Sequence, residues 1–170
     1  DLAPPPNNVE VRRLSSRDAQ FPFQNRALAS AFPLGSVFKI VVGTGALQDG
    51  KVGRSETFAC AEPIVLGQHA FDCWIFDHGV GHGAQDIVQG IQHSCNMYFF
   101  NSGRRLGGDG IVDWARRLGF GSRSGSIELA GEAGGHVPAP PPNGKWNPGD
   151  VLNLSIGQGP LLVTPLQVCR

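Results

Sequence analysis

The chain has 170 residues, 41% of them apolar, with 14 basic and 14 acidic side chains and no net charge. That is enough for one domain or part of one, and the balanced charge provides no basic surface for nucleic acid or anionic lipid. No apolar run approaches the roughly 20 residues that span a bilayer, while 24 Gly and 13 Pro imply many turns and loops.

Residues 1 to 24 lack a periodic apolar pattern, and Ala3-Pro4-Pro5-Pro6-Asn7-Asn8 reads as extended or polyproline-like chain on a surface. Asn25-Arg26-Ala27-Leu28 leads into a turn punctuated by Pro33 and Gly35. From Ser36 a helix is predicted through Leu47, ended by Asp49-Gly50. Val37, Phe38, Ile40, Val41, Val42, Ala46 and Leu47 lie nearly all round it, so it should be buried. Gly43 and Gly45 cost helix propensity there, which a closely packed neighbour would offset.

Ser36 and Lys39 are three apart and share one helix face near a helix N-terminus. A desolvated, neutral lysine there can take a proton from the hydroxyl and make it a nucleophile. The alternative is that Ser36 is simply an N-cap.

Residues 51 to 83 read as irregular and hold Cys60, Cys73, His69, His78 and His82. A helical stripe of Ile87, Val88 and Ile91 follows from Gln85 to Gln92 and is interrupted at Ser94-Cys95-Asn96. Met97-Tyr98-Phe99-Phe100 opens a strongly apolar helix to about Leu106. A further helix runs from about Asp109, a candidate N-cap, to Leu118 and is stopped by Gly119. Residues 120 to 150 read as loop, and Val151 to Ile156 alternate enough for a short strand or extended segment. Thr164-Pro165 has the cap and first-position residues of a last helix. The chain starts abruptly at Asp1 and stops at Cys169-Arg170, so both ends read as internal to a longer protein.

Ser-x-x-Lys followed by Ser-x-Asn is the ordered signature of penicillin-recognising serine acyltransferases. Ser36-Val37-Phe38-Lys39 and Ser94-Cys95-Asn96 supply both. Gly81-His82-Gly83, Gly119-Phe120-Gly121, Gly131-Glu132-x-x-Gly135, Ile156-Gly157-Gln158-Gly159 and Thr164-Pro165-Leu166-Gln167 follow the same family's order. The chain therefore resembles the transpeptidase domain of class B penicillin-binding proteins, and among them the elongation-type enzymes.

The resemblance implies an α+β, β-lactamase/transpeptidase-like fold. This span, residues 1–170, would be the central part of the domain, mostly helical, with the central sheet largely missing. The N-terminal strands, pedestal and membrane anchor are expected outside it. So is a third motif, Lys-Thr-Gly or Lys-Ser-Gly, because the lysines here are 39, 51 and 145 and none begins such a tripeptide. Without it the chain alone is expected to be inactive and to leave apolar surface exposed behind the Ser36 helix.

The implied activity is D,D-transpeptidation of peptidoglycan stem peptides, with β-lactams acylating the same serine. Serine β-lactamase and a non-catalytic penicillin-sensing domain are the alternatives. By resemblance, Ser36 is the nucleophile, Lys39 its base, Ser94 the proton relay to the leaving amine, and Asn96 the binder of the acyl-donor amide. The resemblance further implies a glycosyltransferase partner and a site on the outer, periplasmic face of the cytoplasmic membrane.

Ser94 and Asn96 must both face a cleft, which turns Cys95 into the body of the domain. With Cys60, Cys73 and His82 it could form a closed structural zinc site, and the resemblance supports a metal there. His78 could replace His82. The other outcome is a Cys60–Cys73 disulfide beside a free, buried Cys95. His69, His93 and His136 read as ordinary surface or loop residues.

Overall fold

The computed structural model describes residue 9 and residues 24–123, 125 and 131–170. The expected extended segment before residue 24 lies almost wholly outside these. A short helix, α1 (Arg26–Ala29), is capped by the Asn25 side chain. A 3-10 turn, Gly35–Phe38, runs directly into α2 (Lys39–Gln48). The nucleophile candidate therefore lies in the tight turn, and Lys39 is the first α-helical residue.

Residues 58 to 85 are more regular than the sequence suggests. They form β1 (Phe58–Cys60), β2 (Ile64–Leu66), β3 (His69–Phe71), a 3-10 turn (Trp74–His78) and β4 (Gly83–Gln85). The strands pair antiparallel as β1–β4 and β2–β3. In the first pair Cys60 lies opposite Gly83, and in the second Leu66 lies opposite His69. Three-residue strands are too short to show a period of two, so this part of the chain reads as irregular from sequence.

A short helix, α3 (Ile87–Gln92), carries a full capping box between Asp86 and Gln89. The longest element, α4 (Asn96–Arg117), is broken at Gly107, whose φ of 79° and ψ of 159° are not helical. The sequence expectation of two helices here is met, with one correction. Asp109 lies inside the second segment instead of capping it, and its carboxylate accepts a hydrogen bond from Trp146 Nε1 at 2.8 Å.

Val151 to Ile156 is not a strand. It belongs to α5 (Pro148–Ser155), which Asn147 caps with Pro148 in the first turn. Six alternating residues cannot separate strand from helix, and packing decides: Val151, Leu152 and Leu154 are buried on the core. The last helix, α6 (Pro165–Cys169), has the Thr164–Gln167 capping box.

The core is centred on α4, where Met97, Tyr98, Phe99 and Phe100 are all buried. Glycines let its two neighbours come close. A Cβ at Gly45 of α2 would meet Trp114 Cδ1 at 2.6 Å, and one at Gly103 of α4 would overlap the Ser155 side chain of α5. The packed neighbours thus account for the glycines of α2. Its outer face is another matter: Val37 and Ile40 are 49% and 57% exposed. Most of the helix is buried, and Ile40 and Gln48 are its exposed positions.

Two backbone links seat the nucleophile turn. Phe32 exchanges hydrogen bonds with Val163, and Gly35 N–H donates to Gly157 O at 2.9 Å. The Gly157 turn lies so near that a Cβ there would fall 2.2 Å from Gly35 O.

Candidate active site and thiol cluster

Lys39 is 3% exposed. Its ammonium donates to Ser94 O at 2.7 Å, to Ser94 Oγ at 3.0 Å and to Asn96 Oδ1 at 2.7 Å. Ser94 Oγ in turn lies 2.9 Å from the exposed hydroxyl of Ser36. One chain of polar atoms thus joins Ser36, Ser94 and Lys39. The sequence suggests direct contact between serine and lysine; here the link runs through the second serine. Ser36 makes no N-cap bond to the helix, because its turn is already held by Gly157 and its hydroxyl faces Ser94.

Burial lowers the Lys39 pKa to about 8, against the opposing pull of Cys73 and Cys95. About a tenth of the amine is then neutral at pH 7, against less than a thousandth for a free lysine. A neutral amine can accept a proton from Ser94, which can accept one from Ser36. The N–H groups at the start of the Gly35–Phe38 turn have no partner within it, so the Ser36 N–H can donate to an oxyanion formed at its hydroxyl.

The backbone around Ser94 is unusual. Cys95 N–H donates to Gly90 O and Ser94 N–H to Ile91 O. That pair of bonds is a Schellman motif ending α3, and Ser94 holds the left-handed position that helices normally give to glycine. Its φ is 49°, the one positive value at a non-glycine among the described residues. The conformation costs about 1 kcal/mol and points Ser94 Oγ at Ser36. Asn96 is fixed too: Nδ2 donates to Asp72 O and its backbone N–H to Cys73 Sγ at 3.3 Å.

Behind this loop, Cys60, Cys73, His82 and Cys95 bring their donor atoms within 4.8 Å of one another. The three cysteines are buried free thiols, so the alternative Cys60–Cys73 disulfide is not formed. His82 Nδ1 points inward, 3.5 Å from Cys60 Sγ and 3.7 Å from Cys73 Sγ. A tetrahedral zinc with bonds of about 2.3 Å to sulfur and 2.0–2.1 Å to nitrogen sets its sulfurs and nitrogen roughly 3.5 Å apart. The donor set and its spacing fit that ion. A hydrogen bond from Cys95 lowers the Cys73 pKa to about 4, and the same bond raises Cys95. Burial raises Cys60. Metal ions bind cysteine as the thiolate, so zinc held here would displace the thiol protons.

His78 is outside the cluster and lies edge-on to Trp74, 6.1 Å between centroids. His69 and His136 are exposed. His93 departs from the surface reading: it is half-buried and hydrogen-bonded to Gln85. Gln85 escapes sequence reading because a lone buried glutamine has no motif.

The family model for the penicillin-binding protein transpeptidase domain matches residues 5–170. The chain belongs to that family. It is 32% identical over 156 residues to the peptidoglycan D,D-transpeptidase MrdA of Acinetobacter baumannii, covering 86% of this chain and 22% of that protein. It superposes on the penicillin-binding protein 2 of the Helicobacter pylori PBP2–MreC complex with a TM-score of 0.82, 31% identity, and 95% and 30% coverage. Against the ceftriaxone acyl-enzyme of penicillin-binding protein A from Mycobacterium tuberculosis the TM-score is 0.79, with 26% identity and 98% and 37% coverage. The fold is thus β-lactamase/transpeptidase-like. The chain spans about a quarter of the length of the curated relatives it matches.

Proposed function

We propose that the protein carrying this chain is a peptidoglycan D,D-transpeptidase, and that β-lactams acylate the same serine. The observation behind this reading is the continuous path from the exposed Ser36 hydroxyl through Ser94 to the buried Lys39 amine. Ser36 Oγ attacks the acyl-donor carbonyl as its proton passes through Ser94 toward Lys39. The Ser36 N–H supports the oxyanion. The amide C–N bond then breaks, and the proton returns through Ser94 to the leaving amine. An acceptor amine attacks the resulting ester, the acyl C–O bond breaks as the new amide forms, and the amine's proton passes through Ser94 to Ser36 Oγ. Asn96, held by Lys39 and Asp72, receives the acyl-donor amide.

Cys60, Cys73, Cys95 and His82 would hold one zinc ion. Bound there, it supplies a tetrahedral cross-link, since four protein donors leave no open position for substrate. These residues join the β1–β4 region to the Ser94–Asn96 loop from behind. The parent protein works on the outer, periplasmic face of the cytoplasmic membrane beside a glycosyltransferase. The family resemblance supports that placement; among the described residues no helix is long and apolar enough to cross a membrane.

The test is labelled penicillin on the full-length protein, followed by peptide mapping. Label is expected on Ser36 alone and lost in Ser36→Ala. Label that persists in Ser36→Ala overturns the reading.

A further inference from the structure

Ser94 is strained, and its two chain neighbours are held by different means. Cys95 is anchored in the thiol cluster. His93, on the other side, is gripped three ways. Its Nδ1 lies 2.6 Å from Gln85 Oε1. Its ring stacks on the His82 ring, centroids 5.3 Å apart and planes within 11°. Its carbonyl accepts a hydrogen bond from Trp74 Nε1 at 3.1 Å.

Gln85 is the hub. The residue is 2% exposed, and Nε2 donates to His82 O at 2.9 Å and to Ala84 O at 3.0 Å. Only one amide orientation serves, because a flipped amide would set its oxygen against two carbonyl oxygens. Oε1 therefore faces His93, and since it can only accept, His93 must carry its proton on Nδ1. One amide thus joins the backbone of His82, a cluster residue, to the ring of the residue before Ser94.

We infer that Gln85 and His93 are positioning residues that hold Ser94 in its left-handed conformation and aim its hydroxyl at Ser36. Neither touches Ser36, Lys39 or Asn96 through any hydrogen bond described above. Their effect passes through one peptide unit. This rests on the reading of Ser94 as proton relay, and it adds that the relay is held from both sides: by thiols at Cys95 and by the Gln85 amide at His93.

The test uses the full-length protein with three variants. Gln85→Leu removes both sets of bonds. His93→Phe keeps a ring to stack on His82 but loses the N–H. His93→Asn restores an N–H near the Nδ1 position. The measurements are the maximal acylation rate at saturating penicillin, the apparent penicillin affinity, zinc content, unfolding temperature and exchange of the Cys95 amide hydrogen.

The expected result is a loss of about tenfold or more in the maximal rate for Gln85→Leu and His93→Phe, the scale seen when partners of site residues are removed. Affinity and zinc content should stay unchanged, and Cys95 amide exchange should quicken. His93→Asn should recover most of the rate. Wild-type rates in His93→Phe overturn the inference, as does a loss that only follows zinc content or unfolding temperature. So does failure of His93→Asn to exceed His93→Phe. If Gln85→Leu does not fold, the His93 pair decides alone. Absence of Ser36 acylation in the unaltered protein would sink the functional reading, a result distinct from all of these.

Discussion

The two halves of the site are supported in different ways. Lys39 opens a helix pressed against α4 by apolar contacts and close glycine approaches, and Ser36 lies in the tight turn that leads into it, seated by backbone bonds at Phe32 and Gly35. Ser94 lies in the turn that ends α3, and Asn96 is the first residue of α4. Their anchors are thiols, an imidazole, side-chain amides and a strained backbone. The first support has no part that binds a metal; the second includes the donor set of the proposed zinc site. The nucleophile turn is held by packing and backbone bonds, whereas the relay, which must aim one hydroxyl between a serine and an amine, is held largely by side-chain bonds.

Lys39 is where the halves meet, so its loss should have the largest effect. Lys39→Ala removes the base and frees Ser94 and Asn96 together. Acylation is expected to fall by about 100- to 10,000-fold, read by stopped-flow labelling with a fluorescent penicillin. A loss below tenfold would mean that Lys39 only packs.

Phe99→Ala strikes the apolar core directly. Phe99 is fully buried on α4, and its truncation should cost about 3–5 kcal/mol, measured by denaturant unfolding. Zinc content of the protein that remains folded should not change. Proportional loss of metal would show that the two supports are one.

The pH profile follows from Lys39. Its pKa is lowered to about 8, and its neutral form is the base, so activity is gained as the amine deprotonates. The maximal acylation rate should rise by about tenfold per pH unit below that value and level off above it. A profile flat from pH 6 to 9 would remove Lys39 from the proton path.

How much of this could be read from sequence tracks the length of each signal. The Ser36–Lys39 pair and Ser94-x-Asn96 are legible because a helix turn and a loop fix their geometry over three residues. The convergence of Cys60, Cys73, His82 and Cys95 is suggested by residue type and by the direction Cys95 must face. The helix at Val151 was obscured because its start signal, Asn147-Pro148, lies in a stretch otherwise full of loop residues. The small strand pairs were too short to show a period. The left-handed Ser94 was hidden too, since α3 ends without the glycine that normally marks a Schellman motif, and Gln85 stands 9 residues before Ser94 with no pattern joining them.

That missing glycine yields the smallest expected effect on stability. Ser94→Gly should relieve the strained backbone and raise stability by about 1 kcal/mol, seen as a higher unfolding midpoint. The same change deletes the relay hydroxyl and should slow acylation. A stability loss would mean that the Ser94 side chain supports the fold as well as the chemistry.

The division of support is tested most directly by removing metal from the full-length protein. A chelator is titrated in, and zinc content and the Ser36 acylation rate are measured on the same samples. Acylation is expected to fall in step with zinc, while helical circular dichroism and a cooperative unfolding transition persist, and added zinc should restore the rate. Full-rate acylation in zinc-free protein would contradict the account.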